Sequence, residues 1–294
     1  MCKSFPHAPG FPESKGAVQS PPLQAVPFSL GVPVSFLSDA LASTRATVAA
    51  RIAQMPLEQV RRDAAAQPPA LDFRGALSGP EVALIAEIKR ASPSAGPIAP
   101  GLDAGAQAEA YYRGGAAAVS VLTEGPHFAG SVEDLLAARR ACPLPLLRKD
   151  FIIDPYQVWE ARAARADAVL LIVAALDQSR LVEMMDVVEL AGMAALVETH
   201  EEEEVRRAVM AGARVIGVNA RDLSSLSVDM GRMARLRQLI PAGRVVVAES
   251  GVRSREDVQA LESVGVDAVL VGESLVRAAD PAAKVAELLG REVA

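Results

Sequence analysis

At 294 residues, 51% of them apolar and with a formal net charge of −6, the chain is long enough to bury one large core, although length alone also permits two small domains. Lys and Arg are scattered among Asp and Glu rather than gathered in a stripe, which excludes the footprint of a polyanion binder, so no nucleic-acid partner is expected. Only Cys2 and Cys142 are present, which excludes a disulfide framework or a CxxC site. His7, His127 and His200 are too far apart in sequence to suggest a zinc ligand set, so no metal is expected.

The first residues, MCKSFPHAPGFPESKGAVQSPPLQAVPFSLGVP, are rich in Pro, Ser and Gly and show no amphipathic period. They lack the apolar block of about 7 to 15 residues that marks a secretory signal, and no later run reaches the about 18 apolar residues that would span a bilayer. Residues 1–33 therefore read as a disordered tail on a cytoplasmic protein with no membrane partner. From about 34 to 80, starting with VSFLSDALASTRATVAARIAQMPLEQVRRDAAA, the patterns are helical and predict extra helices ahead of the first strand.

From Glu81 onward one unit recurs: a β-branched or Leu-rich run, a turn, and an Ala-rich amphipathic helix. The runs are ALIAEIK (83–89), AAVSVLT (117–123), PLLRKD (145–150), AVLLIVA (168–174), AALVET (194–199), VIGVN (215–219), VVVAES (245–250) and AVLVGE (268–273). Helical patterns such as DPYQVWEARAARA and SREDVQALESVG lie between them, several closed by a Gly suited to a helix C-cap. Strands this apolar, alternating with helices, predict a parallel sheet covered by helices. Eight nearly equal units fit a closed (β/α)8 TIM barrel better than a doubly wound sheet, so residues 34–294 are expected to form a single α/β barrel domain that includes the N-terminal helices.

In such a barrel the working face is the C-terminal end of the strands. There the first strand carries Glu87 and Lys89, the third Lys149, the fifth Glu198, the sixth Asn219 and then Arg221, and the seventh Glu249 and Ser250. Alternation puts Glu87 and Lys89 on one face, and turns Lys149 to the same side as Leu147 while Arg148 points away. One such charge is an ordinary solvated strand end. Two lysines and three glutamates at one mouth would shift one another's pKa values, as a site needs to keep one acid protonated and one base free. Glycines in ESG (249–251) and VGES (271–274) sit at the two loops where barrels often bind phosphate, so Gly251, Gly272, Glu273 and Ser274 predict a phosphorylated small-molecule substrate. Pro93 stiffens the loop after the first strand, and Trp159 reads as a packing residue.

The stretch LIAEIKRASPSAGPI, with SVLTEGPHFAGSVEDL, PLLRKDFIIDPYQVWEARAARADAVLLI, LVETH, IGVNARDL, VAESGV and VGESL, resembles the indole-3-glycerol-phosphate synthase family over roughly residues 34 to 290. Ala220 stands where many relatives have a second Asn, and the GPH before Phe128 is a variable spot. The chain ends just after the eighth helix, which leaves no room for the isomerase domain fused in some relatives.

The resemblance implies ring closure of 1-(2-carboxyphenylamino)-1-deoxyribulose 5-phosphate with loss of carbon dioxide and water, and no cofactor. It implies that Lys149 is the general acid on the substrate carbonyl and that Glu198 stabilises charge or accepts protons during rearomatisation. Lys89 would hold the anthranilate carboxylate or the phosphate, or serve as acid in the dehydration, with Glu87 and Asn219 as its basic partner. Arg221, Glu249, Ser250 and Ser92 would complete the polar ring, and Phe128, Phe151, Leu170 and Leu223 the anthranilate slot. How the two lysines divide the acid roles stays open, and a monomer or weak homo-oligomer is expected. Two rivals remain at this point. Another phosphosugar barrel would carry an Asp or Cys pair in place of Lys149 and Glu198, and a silent phosphate-binding barrel would have lost charged pocket residues.

Overall fold

All eight apolar runs form strands, as segments buried on both faces must if their main-chain groups are to be satisfied. They are β1 (Ala83–Ile88), β2 (Ala118–Leu122), β3 (Leu146–Lys149), β4 (Ala168–Ile172), β5 (Ala194–Thr199), β6 (Val215–Asn219), β7 (Val245–Glu249) and β8 (Ala268–Val271). The computed structural model describes residues 36–219 and 230–292; the tail expected at 1–33 lies outside them. The strands run parallel in chain order, and β1 closes the circle by pairing Ile85 with Leu270 of β8 on one side and Ala118 of β2 on the other. The predicted barrel is therefore the observed one.

Alternation sorts the two faces. Ile85, Ala118, Leu147, Leu170, Leu196, Val215, Val247 and Leu270 fill the interior, while Leu84, Ala86, Val119, Leu146, Val169, Leu171, Ile216 and Val269 pack under the helices. Three helices precede the barrel as expected: α1 (Phe36–Gln54), α2 (Leu57–Ala65) and α3 (Phe73–Ala76). Phe73 and Leu77 belong to the interior cluster and stop the N-terminal end of the barrel.

The remaining helices are α4 (Ala104–Arg113), α5 (Val132–Ala141), α6 (Pro155–Ala163), α7 (Gln178–Leu190), α8 (Glu202–Met210), α9 (Met230–Arg237), α10 (Arg255–Ser263), α11 (Glu273–Val276) and α12 (Pro281–Leu289). Their starts follow local chemistry. Asp154, with Pro155 as first helical residue and Gln157 reaching back, caps α6, and Ser254 with Asp257 makes a capping box on α10. The tetrapeptide DAVL occurs at 167–170 and 267–270, half a barrel apart. In each copy the Asp accepts an N–H at the start of the preceding strand, from Leu146, the first residue of β3, to Asp167 and from Val246, the second of β7, to Asp267, at 2.7 Å. These carboxylates staple the N-terminal face, remote from the mouth.

Several strands are shorter than predicted. β4 ends at Ile172, where a 3-10 turn over Val173–Ala175 begins, and β8 ends at Val271 because Gly272 already caps α11. The loop after β1 contains a two-residue antiparallel ladder between Ala91–Ser92 and Gly96–Pro97, with the turn completed by Gly96 at φ 64°. Among the described residues no helix is long and apolar enough to cross a membrane. Trp159 of α6 packs against α2, with Arg61 over its ring, a packing role as expected.

Candidate active site

Alternation and a common strand direction bring the polar strand ends to one place. Glu87 is the next inward residue of β1 after Ile85, and Lys149 follows Leu147 on β3. Lys149 Nζ lies 2.9 Å from Glu87 Oε2 and 3.3 Å from Glu249 Oε2, and Lys89 Nζ lies 2.9 Å from Glu87 Oε1. Lys89, Glu87, Lys149 and Glu249 thus form a chain of alternating amines and carboxyl groups from three strand ends, those of β1, β3 and β7. Across the mouth, Ser250 Oγ donates to Asn219 Oδ1 at 2.9 Å, and Asn219 Nδ2 donates to Glu198 Oε1 at 3.2 Å. That corrects one expectation: Asn219 supports Glu198, not Glu87. Asn219 leaves β6 two positions after Gly217, and neighbouring β5 brings Glu198 alongside, whereas Glu87 enters from β1 and is engaged by both lysines.

Two glycines make room for these carboxylates. A Cβ on Gly217 would run into Glu249 Oε1, and one on Gly272 would run into Glu87 Oε1 and touch Lys89 Nζ at 3.1 Å. Gly272 therefore does more than loosen a phosphate loop. Ser250 has a φ of 68° and is followed by Gly251 at 88°, so the chain leaves β7 through two left-handed residues in succession. Only the second is cheap; the strain at Ser250 is held where its hydroxyl is needed.

Burial pushes every carboxylate here upward, and its neighbours decide the outcome. For Glu87 the charges of Lys149 and Lys89 overcome burial and bring it down to about 2. For Lys149 burial works against the ammonium, but Glu87, Glu249 and Glu198 outweigh it and raise its pKa. Glu198 and Glu249 compete. Burial raises Glu249, and the charge of Glu198 raises it further against one opposing lysine, whereas His200, Lys149 and Asn219 overcome burial to lower Glu198. A proton shared in this pair at neutrality belongs on Glu249, leaving Glu198 as the free base.

Above the charged floor lies a cavity of about 420 Å³. Phe128, Phe151, Leu170, Leu122 and Ile172 give it an apolar side, and Ser92, Ser250, Gly251, Gly272, Glu273 and Ser274 a polar one. The Phe128 and Phe151 rings lie 6.5 Å apart, and Phe36 of α1 meets both edge-on at 6.3 and 6.0 Å. At the polar side Glu273 turns outward to Arg277 at 3.0 Å, and Ser274 Oγ donates to the Val252 carbonyl at 3.3 Å, tying the loops after β7 and β8 together. Arg221 and Leu223 lie outside the described residues. Every other residue expected at the site lines the cavity except Glu249, which sits directly beneath it at 1% exposure.

Several contributors were not foreseen. Phe36 and Leu37 reach the cavity from α1, and Arg253 and Arg277 stand at its polar rim. Glu124, at the exit of β2, accepts the N–H groups of His127 and Phe128 at 2.7 and 3.1 Å and so fixes the loop that carries Phe128. His200 lies two residues past Glu198, on the same side of the chain as it leaves β5, with Nε2 3.1 Å from Glu198 Oε1. The alternation that selected Glu87 with Lys89 also pairs Glu198 with His200, so that signal was present in the sequence.

The family model described as indole-3-glycerol phosphate synthase matches residues 37–288. A protein named indole-3-glycerol phosphate synthase from Mycobacterium ulcerans is 54% identical over 257 residues, covering 87% of this chain and 94% of that protein. One of the same name from Mycobacterium tuberculosis is 52% identical with the same coverage. Among solved structures, 3-hexulose-6-phosphate synthase from Salmonella typhimurium aligns with a TM-score of 0.54 at 17% identity, over 71% of this chain and 97% of that one. Thiamine phosphate pyrophosphorylase from Pyrococcus furiosus aligns with a TM-score of 0.55 at 16% identity, over 74% and 96%. These two share the fold alone.

Proposed function

The chain belongs to the indole-3-glycerol phosphate synthase family, and from that premise we propose how its residues divide the reaction. The enzyme is a decarboxylating lyase of tryptophan biosynthesis: it closes the pyrrole ring of 1-(2-carboxyphenylamino)-1-deoxyribulose 5-phosphate, a phosphorylated small molecule, and releases carbon dioxide and water. Substrate minus those two molecules is indole-3-glycerol phosphate, so the balance requires no electron acceptor. The task is to place an acid, a base and charge around one bound molecule.

The observation that carries the division of labour is the Lys89–Glu87–Lys149–Glu249 chain beneath an apolar slot. The anthranilate ring lies against Phe128, Phe151 and Leu170, and the phosphate takes the opposite side, at the Gly251 and Gly272 loops and the start of α11, where main-chain N–H groups have no partner within the helix. Ring closure joins the aromatic carbon bearing the carboxylate to the ketose carbonyl carbon. Lys149 protonates the carbonyl oxygen as it becomes an alkoxide, a base strong enough to take a proton from an ammonium whose pKa is raised. Loss of carbon dioxide returns the electron pair to the ring.

Dehydration then expels the new hydroxyl as water. Lys89, on the far side of Glu87, first holds the substrate carboxylate and then supplies that proton, with Glu87 as its basic partner. Glu198, ionised and held by Asn219, accepts the proton lost as the pyrrole becomes aromatic. Arg221 and Leu223 keep the substrate-contacting roles expected from the family motif. The test is Lys149→Ala, read by fluorescence of the indole product: kcat falls by about 10² to 10⁴ while the protein still melts cooperatively. Undiminished product formation would remove Lys149 from the acid role.

A further inference from the structure

Two buried residues beside the site have no part in the steps above. His200 follows β5, and Glu204 lies in the first turn of α8. The His200 ring bridges two carboxylates, with Nε2 3.1 Å from Glu198 Oε1 and Nδ1 3.2 Å from Glu204 Oε2. Nε2 stands at ion-pair distance from Glu198 Oε1 without meeting full hydrogen-bond geometry. The link to Glu198 is therefore one of charge and position, tolerant of small shifts in the carboxylate. The His200 main-chain N–H also donates to Glu204 Oε2 at 2.7 Å. Glu204 is thus engaged twice by one residue, and the ring is clamped from behind.

We propose that His200 is a positioning residue for Glu198: its ring, clamped by Glu204, presents a fixed positive charge to one carboxylate oxygen and so keeps Glu198 ionised, with its other oxygen directed to the substrate. The inference rests on the reading of Glu198 as the proton acceptor. Asn219 approaches the same oxygen, Oε1, from β6. The charged groups around the ring are Glu198 from β5 and Glu204 from α8; behind Glu198 stand Lys149 from β3 and Glu249 from β7. Arg207, further along α8, is turned away to the carbonyl oxygens of Val173 and Leu176.

Burial would lower the His200 pKa, but Glu198 and Glu204 reverse it and raise it to about 10. The ring is therefore charged through the neutral range, and its help to Glu198 is lost only as pH rises through that value. Without the cation, Glu198 would be a buried carboxylate beside a second one, Glu249, whose Oε1 has no donor. It would then take up a proton well above the ordinary carboxylate range and cease to act as a base.

The test is the pH profile of kcat for wild type, His200→Asn and His200→Lys, with thermal melts alongside. The main-chain contact to Glu204 survives any side-chain change at 200, so the start of α8 is kept. Wild-type kcat is expected to hold as pH falls to about 5, whereas His200→Asn loses at least about tenfold on an acidic limb between about pH 6 and 7, with KM within about twofold. His200→Lys restores a cation at the same place and removes that limb. His200→Gln, also uncharged, serves if the Asn variant does not fold. An uncharged variant whose profile runs parallel to wild type overturns the proposal, as does a limb that stays in His200→Lys. Glu198→Gln separates the two levels. If it retains activity, the acceptor reading itself fails; if it is inactive while the uncharged His200 variants show no acidic limb, only the role of His200 fails.

Discussion

Arg148, fully buried, and Lys149, partly buried, are adjacent cations on β3, and they serve opposite ends. Arg148 points out of the barrel at 0% exposure and spends its guanidinium on Thr123 at 3.0 Å, Asp150 at 3.0 Å, the Gln157 carbonyl at 3.2 Å and Glu160 at 2.7 Å. Glu160 passes the network on to Arg51 of α1 at 2.9 Å. Lys149 points into the barrel and meets carboxylates at a mouth that opens to a cavity. A buried cation is therefore no sign of catalysis by itself. What distinguishes the two is whether the surrounding groups are fully used by one another or are left facing space a substrate can fill.

The contrast is sharpest when each cation is removed. Lys149→Ala, as above, should abolish nearly all turnover with little loss of fold, because Glu87 keeps Lys89 and Glu249 is already inclined to hold a proton. Arg148→Met should do the reverse. It leaves the buried Asp150 without a cation, with only the Thr123 hydroxyl and the Phe151 N–H, and Glu160 with Arg51 alone, which is expected to cost about 3 to 5 kcal/mol, read by denaturant melts, while kcat of the folded fraction stays close to wild type. If Arg148→Met leaves stability unchanged, or Lys149→Ala melts the barrel, the two roles are misassigned.

A third variant probes the inner face without touching a charge. Gly217→Ala places a methyl where Glu249 Oε1 lies, so Glu249 must move and take the Lys149 contact with it. A displacement of that size in a catalytic constellation costs about a hundredfold in kcat, measurable against an unchanged melting curve; normal turnover would show that Glu249 has slack. The mildest change is on the outer face. Arg51 is partly solvent-exposed and Glu160 retains Arg148, so Arg51→Met should cost no more than about 1 kcal/mol. Its interest lies in α1, whose Phe36 meets Phe128 and Phe151: a rise in KM without a fall in kcat would tie the outer network to the substrate slot.

Much of this was readable in the residues. Period two and direction along each strand were enough to send Glu87, Lys149, Glu198 and Glu249 to one mouth, and to turn Arg148 away from it. Phe128 and Phe151, in the loops that follow β2 and β3, were reached not through the period but through the family resemblance. It paired Asn219 with the wrong carboxylate, because which polar groups touch depends on the order of strands around a closed barrel. It passed over Glu124 and Phe36, whose value lies in what they hold or cover, and it treated Gly272 only as a phosphate-loop residue.

The sequence by itself determined the architecture, through eight apolar runs that must be buried on both faces, and the set of charges at the C-terminal ends, through alternation. Tertiary structure alone decided the partners. Lys149 finds Glu87 from 62 residues away and Glu249 from 100, and Gly217 and Gly272 leave the volume those carboxylates occupy. It also decided protonation, since Glu198 and Glu249 are the same residue type made unequal by His200 and Asn219 on one side and a single shared lysine on the other. Pattern along a chain fixes which face a side chain takes; only closure of the barrel fixes the distances, and charge interactions in a buried site depend on those distances.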